Sequence, residues 1–335
     1  MAVGPDRRDA RPDGSPVTTD RAVALLEDVL GEPTMLADLL DAYGAKGGPL
    51  SELPELGGEV RVVFTGLGSS RYAALDAAVE LRSAGLPAWV EFASVDAATP
   101  PSRDVILVAI SASGRTRETV AVAERHRGTS LVIAVTNQPG SPLAAGGDVV
   151  LPLHAGVETS GVSSRTFLAT VTVLSLLSDR LHGRPPGVEA LRPAVEGLDA
   201  VLDGRAAWLT TAAELLDGAD AIGVIGPAAS QGLAEQAALL LREGPRLRAS
   251  AHEAVDWPHT AIYTALPGYR ALLLPGTPDA ERLAAVIAGR GGKTVAVEVA
   301  VPLPAGAPAR FLTPAVADIL AAELWSRATA QRKAP

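Results

Sequence analysis

The sequence predicts an α/β protein: two doubly wound parallel sheets in tandem, preceded by an N-terminal helical arm. Three observations carry this. From residue 61 onward, short apolar runs alternate with amphipathic helical stretches, the pattern of strand–helix–strand units. One run, Val105-Ile106-Leu107-Val108-Ala109-Ile110, is apolar at every position, as a strand must be when helices cover both faces of its sheet. Gly183-Arg184-Pro185-Pro186-Gly187 interrupts the alternation near the middle of the 335 residues, a length suited to two domains.

The elements follow in order. Over 20–44, Ala22, Leu25, Leu26, Val29 and Leu30, then Met35, Leu36, Leu39 and Leu40, recur at helical spacing, and Pro33 starts a second helix. Strands are predicted at 61–65, 87–92, 104–110, 131–136 and 148–153, with helices after the first through Ser83, at 115–127 and at 163–181. Asn137-Gln138-Pro139-Gly140 reads as a turn. Beyond the linker, a helix over 190–217 leads to strands at 221–225, 247–251, 271–274 and 294–299. Helices fall between them at 230–243 and 279–289, and a last one spans 315–328. The expected division is a disordered tail over 1–18, the arm over 19–55, and domains over 56–186 and 187–335.

Composition removes several classes of function. There is no cysteine, which excludes disulfides, thiolate chemistry and cysteine-held zinc. The net charge is −9, with no arginine or lysine stripe, so no nucleic-acid partner is expected. No run is long and apolar enough for a membrane span, and Arg7-Arg8 is followed by Pro12, Asp13 and Gly14 rather than an apolar core. The expected location is the cytoplasm. The histidines and carboxylates show no metal-ligand spacing, so neither a metal nor a cofactor is expected.

Ligands of doubly wound sheets bind beyond the carboxyl ends of the strands. Two loops there are rich in hydroxyls: Gly66-Leu67-Gly68-Ser69-Ser70 and Ser111-Ala112-Ser113-Gly114-Arg115-Thr116. Each follows a strand and opens a helix, whose first turn offers free N–H groups and a partial positive charge. A phosphate dianion suits such a place, with Ser69, Ser70, Ser111, Ser113 and Thr116 as further donors and Gly114 letting the backbone approach. The plainer reading of Ser70 or Ser113 alone is a helix N-cap. Two such loops on neighbouring strands favour the anion site.

Ser-x-Ser-Gly-x-Thr-x-Glu-Thr over 111–119 resembles the phosphate loop of SIS (sugar isomerase) domains. Pro139-Gly140-Ser141-Pro142-Leu143, the stretch from Glu158 to Ser163-Ser164-Arg165 and Phe167, and Thr172-Val173-Leu174 extend the likeness. They are similar to the isomerase half of glucosamine-6-phosphate synthase, without its glutaminase half, so no ammonia release from glutamine is expected. The resemblance is strongest over 60–182 and fainter over 219–261. It implies tandem SIS domains, a sugar phosphate as small-molecule partner, and Gly68, Glu158, Ser163 and Arg165 at the sugar. It also implies a homodimer with the site at the subunit interface.

By the same resemblance, Glu243 falls on the general base and His259, sixteen residues later, on the histidine that opens the sugar ring. The roles suit the residues. A carboxylate at the C-terminal end of a leucine-rich helix, stopped by Gly244-Pro245, is expected to bind its proton more tightly than usual. Histidine exchanges protons near neutral pH. The chain departs from the pattern at Ala112, Gln236, Pro258 and Thr260, and its tail retains only Lys333 as a candidate for the family's substrate-reaching lysine. Three outcomes follow: an isomerase or deaminase of an amino-sugar 6-phosphate, a lyase (dehydratase) eliminating water from N-acetylglucosamine 6-phosphate after the same C2 proton loss, or a non-catalytic sugar-phosphate sensor.

Overall fold

The computed structural model describes residues 21–55, 58–96, 98–301 and 308–333, with the side chains of Val299 and of 331–333 left out. The tail expected over 1–18 and the side chain of Lys333 lie outside the described residues.

The arm is two helices, α1 (Arg21–Leu30) and α2 (Glu32–Gly44), with Pro33 in the first turn of α2 where its missing N–H costs nothing. Then follow β1 (Arg61–Gly66), α3 (Ser69–Ser83), β2 (Ala88–Phe92), β3 (Val105–Ile110), α4 (Arg117–His126), β4 (Leu131–Thr136), α5 (Pro142–Gly146), β5 (Val149–Pro152) and α6 (Arg165–Leu181). The second half runs α7 (Val188–Asp203), α8 (Leu209–Leu216), β6 (Ala221–Gly226), α9 (Gln231–Glu243), β7 (Ala249–Glu253), α10 (Trp257–Thr260) and β8 (Tyr269–Leu273). It ends with α11 (Ala280–Gly289), β9 (Lys293–Ala296), α12 (Val297–Ala300) and α13 (Ala309–Lys333).

The strands form two parallel sheets, ordered β2-β1-β3-β4-β5 and β7-β6-β8-β9. As its composition predicts, β3 is central and buried at all six positions. Its alternate residues feed two cores. Val105, Leu107 and Ala109 pack with Val122, Ala123 and Leu143 of α4 and α5, whereas Ile106, Val108 and Ile110 face the side of α3 and α6. That second core continues through α3 and α9 into β6 and β8, so one hydrophobic cluster joins the two sheets. Small residues let α3 and α9 cross closely: a Cβ at Gly232 would sit 2.1 Å from the Tyr72 carbonyl oxygen. The arm lies on the same core, with α1 against α13 and α2 against α6 and α7.

Several expected boundaries differ. The single helix predicted over 190–217 is broken by a 3-10 turn, Gly204–Ala207, at a residue that favours leaving the helix. Helix α5 is too short for periodicity to reveal; Ser141 caps it by accepting from the Ala144 amide at 3.4 Å. The strand predicted at 247–251 starts at Ala249, because Pro245 and Arg246 (φ 65°) turn the chain first. The strand predicted over 294–299 ends at Ala296 and continues as α12. The last helix starts at Ala309 and carries Pro314 inside it.

Candidate functional site

The two hydroxyl-rich loops leave adjacent strands, β1 and β3, at their carboxyl ends. The chain packs tightly there: a Cβ on Gly66 would lie 3.0 Å from the Ile110 carbonyl oxygen. Neither following helix is capped by a side chain. The N-cap of α3 is Gly68 (φ 54°) and that of α4 is Thr116. First-turn amides therefore stay available as donors, and neither Ser70 nor Ser113 serves as an N-cap.

In the second loop, the Ser111 hydroxyl lies 2.9 Å from that of Thr116 and 3.5 Å from that of Ser113. Ser113 Oγ also accepts from the Arg115 amide at 3.2 Å. Gly114 has φ 59°, and a Cβ on it would fall 1.9 Å from Ser141 Oγ and 2.9 Å from Thr136 Oγ1. Thus Ser141 and Thr136, on neighbouring elements, hold the loop against the sheet, and only glycine fits between them.

The loops form one wall of a cavity of about 380 Å³, lined by Ser69, Ser70, Ser111, Ser113 and Thr116 on one side and by Glu158, Ser163 and Thr166 on the other. The size suits a small ligand. A larger cavity of about 630 Å³ lies between the arm and the linker and presents mainly glycine, proline and aliphatic surface with Arg180. It offers little hydrogen-bonding chemistry by comparison.

The second wall is the irregular segment 157–164. Glu158 organises it. Its Oε1 accepts from the amides of Ser164 (2.7 Å) and Thr166 (3.2 Å), and its Oε2 from the Thr166 hydroxyl (2.6 Å). The carboxylate thereby sits at the N-terminal end of α6, where negative charge is favoured. Ser163 Oγ is 2.6 Å from Thr166 Oγ1. Asn137 pins the start of the segment: its Oδ1 accepts from the Ala155 amide at 2.9 Å and its Nδ2 donates to the Gly156 carbonyl at 2.7 Å.

Of the residues singled out in the sequence, Ser69, Ser70, Ser111, Ser113, Thr116, Glu158 and Ser163 meet at this cavity, with Gly68 and Gly114 shaping its backbone. Arg165, Glu243 and His259 do not line it within one chain. The Arg165 guanidinium instead donates to Asp28 Oδ1 of the arm at 2.7 Å. Glu243 ends α9 as expected, but its side chain is exposed. His259 is exposed on the short helix α10.

Sequence reasoning missed Thr136, Asn137, Thr166 and Asp28. Ser141-Pro142 is a legible helix start. Asp28 could have been noticed as an acid on the same helical face as Leu25.

Residues 55–178 match the family described as SIS domain. An isomerizing glutamine–fructose-6-phosphate aminotransferase of Aeropyrum pernix is 30% identical over 272 residues, 77% of this chain and 44% of that protein. The chain thus spans less than half the length of that relative. In fold, it is similar to the C-terminal domain of glucosamine-fructose-6-phosphate aminotransferase from Francisella tularensis (TM-score 0.76, 16% identity, 92% of this chain and 96% of that one). It is also similar to glucosamine-6-phosphate deaminase from Thermotoga maritima (TM-score 0.68, 17% identity, 90% and 94% covered). Residues 55–178 thus resemble the SIS domain family, and 77% of the chain is similar in sequence to an isomerizing glutamine–fructose-6-phosphate aminotransferase.

Proposed function

We propose that this chain binds an amino-sugar 6-phosphate in the cavity between the serine loops and segment 157–164 and removes the proton at C2 of the open-chain sugar. In this reading the chain is a tandem pair of SIS domains, 56–186 and 187–335, behind the arm of 19–55. The first domain holds the phosphate through Ser69, Ser70, Ser111, Ser113, Gly114 and Thr116. Gly68, Glu158 and Ser163 face the sugar, with Arg165 behind them. The observation that carries the proposal is the convergence of two uncapped helix N-termini and five hydroxyl groups on one cavity. Each charge-assisted hydrogen bond to the dianion contributes about 1.5–3 kcal/mol. The named relatives, an aminotransferase of fructose 6-phosphate and a deaminase of glucosamine 6-phosphate, support the choice of substrate class.

Glu243 is assigned as the base that takes the C2 proton, and His259 as the group that passes a proton to the ring oxygen on opening. Neither lines the cavity of its own chain, so a homodimer is the assembly that fits this chemistry, with the α10 region of one protomer facing the cavity of its partner. Exposed apolar side chains near His259, namely Val255 (62%), Tyr263 (74%) and Leu266 (62%), are suited to such a contact.

The test is product analysis with glucosamine 6-phosphate and N-acetylglucosamine 6-phosphate, using the wild type and Glu243→Gln. From glucosamine 6-phosphate the proposal expects a ketose phosphate together with ammonia, water supplying the C2 oxygen as the amino group leaves, and loss of turnover in the variant while binding persists. An unsaturated sugar phosphate absorbing in the ultraviolet would instead identify a dehydratase. That Glu243 and His259 do not line the cavity within one chain also suits a second reading, a sugar-phosphate sensor, which predicts binding without turnover in either protein.

A further inference from the structure

The cavity has two walls of different construction. The serine loops are fixed by the sheet itself. Segment 157–164 belongs to no strand or helix, carries the exposed Val157, and turns through Gly161 at φ 74°. Yet it presents Glu158 and Ser163 to the cavity. Beyond Glu158, Asn137 and Gln236, whose Nε2 donates to the Ser163 carbonyl at 2.8 Å, its middle is held from far away in the sequence. Asp28 of α1, only 4% exposed, accepts from the amides of Thr159 (3.1 Å) and Ser160 (3.2 Å) through Oδ2. Its Oδ1 accepts from Arg165 Nη2 at 2.7 Å, and the same guanidinium donates to the Val157 carbonyl. Two helical turns earlier, Arg21 Nε donates to the Ser160 carbonyl at 2.7 Å. The arm therefore satisfies both backbone groups of Ser160 and bridges to both ends of the segment. Helix α1 is itself seated on α13, with the Arg21 guanidinium 5.2 Å from the Trp325 ring. The arm's half of this clamp, Arg21 and Asp28, lies outside the SIS match, which begins at residue 55.

We propose that α1 is a positioning element of the pocket, and that Asp28, acting through Thr159, Ser160 and Arg165, holds the sugar-facing wall in place. The inference rests on the sugar-phosphate reading above and adds a division of labour within the site. The phosphate wall needs only the sheet, whereas the sugar wall needs the arm. Removing the charge of Asp28 leaves Arg165 partly buried without its ion partner and weakens the acceptor of two amides. Segment 157–164 then loses its fixed shape, while the loop at 111–116 has no contact with Asp28 to lose.

Calorimetric titration of the full chain with glucosamine 6-phosphate and, separately, with inorganic phosphate tests this. In Asp28→Asn, which keeps the side chain's size, the dissociation constant for the sugar phosphate should rise about tenfold or more while that for phosphate stays within about twofold. Asp41→Asn, which removes an exposed arm–α7 ion pair with Arg192, should change neither. If Asp28→Asn does not fold, Arg21→Gln removes the other half of the clamp and should show the same split, smaller in size. Equal loss for both ligands, or no loss for either, overturns the positioning role while leaving the site reading intact. A wild type that binds neither ligand overturns the site reading, and the positioning role with it.

Discussion

Position 114 shows how tightly single residues are specified at the site. With φ 59° and a hypothetical Cβ 1.9 Å from Ser141 Oγ and 2.4 Å from Ser141 Cβ, any side chain must displace either the loop or the start of α5. Gly114→Ala is expected to lower stability by about 1–3 kcal/mol and to abolish calorimetric binding of phosphate. Unchanged phosphate affinity in the folded variant would remove this loop from the site. The serines of the loop were legible in the sequence because hydroxyls concentrated after an all-apolar strand have few purely structural uses. Asp28 was not, because its partners lie 131 to 137 residues away and nothing local marks the pairing.

Among elements, the strands of the first sheet were readable to within a residue or two because each is a compact apolar run bounded by turn residues. The second half was less legible. Its helices are interrupted at Gly204 and its strand β7 is half-polar, so periodicity blurred. One contact between elements has a testable pH signature. Asp76 of α3 accepts from the Gly232 amide (2.7 Å) and the Leu233 amide (3.2 Å), capping α9 across the core. Burial pushes its carboxyl up to about 7, against the pull of those two amides and Arg310. A carboxyl with a raised folded-state pKa stabilises the fold most below its unfolded pKa, and that contribution is lost as pH rises through about 7. Asp76→Asn should therefore remove a stability loss of up to about 1.4 kcal/mol per pH unit between the acid range and pH 7, measured by urea denaturation across that range. Parallel pH profiles for wild type and variant would contradict this.

For the whole molecule, the meeting point of arm, C-terminal helix and site is a buried acid pair. Glu32, at the start of α2, and Asp318, in α13, are 0% and 1% exposed, and none of their four carboxyl oxygens has a hydrogen-bond donor from elsewhere in the described residues. Burial raises the pKa of both groups; nearby Asp318 and Glu158 push Glu32 up further, whereas for Asp318 the hydrogen bond with Glu32 pulls down and Glu158 pushes up, so the pair keeps a proton well above the usual carboxylate range. The neighbouring Arg165 guanidinium pulls Glu32 the other way but is itself bonded to Asp28. By the same sign as for Asp76, the pair stabilises the docked arm at acid pH and progressively less as pH rises and the shared proton is lost. Glu32→Gln supplies an amide donor to Asp318 at every pH and removes one titrating group. It should stabilise the protein at pH 8 by about 1.5–3 kcal/mol, the value of a hydrogen bond to a charged group, with little gain at pH 5. Because the arm also clamps segment 157–164, sugar-phosphate affinity in the variant should fall less between pH 7 and pH 8.5 than in the wild type. Denaturation curves at the two pH values and calorimetry across the second interval check both parts. Equal stabilities of variant and wild type at pH 8 would show that the pair has not lost its shared proton by that pH, and would overturn the expected loss of stability on its ionisation.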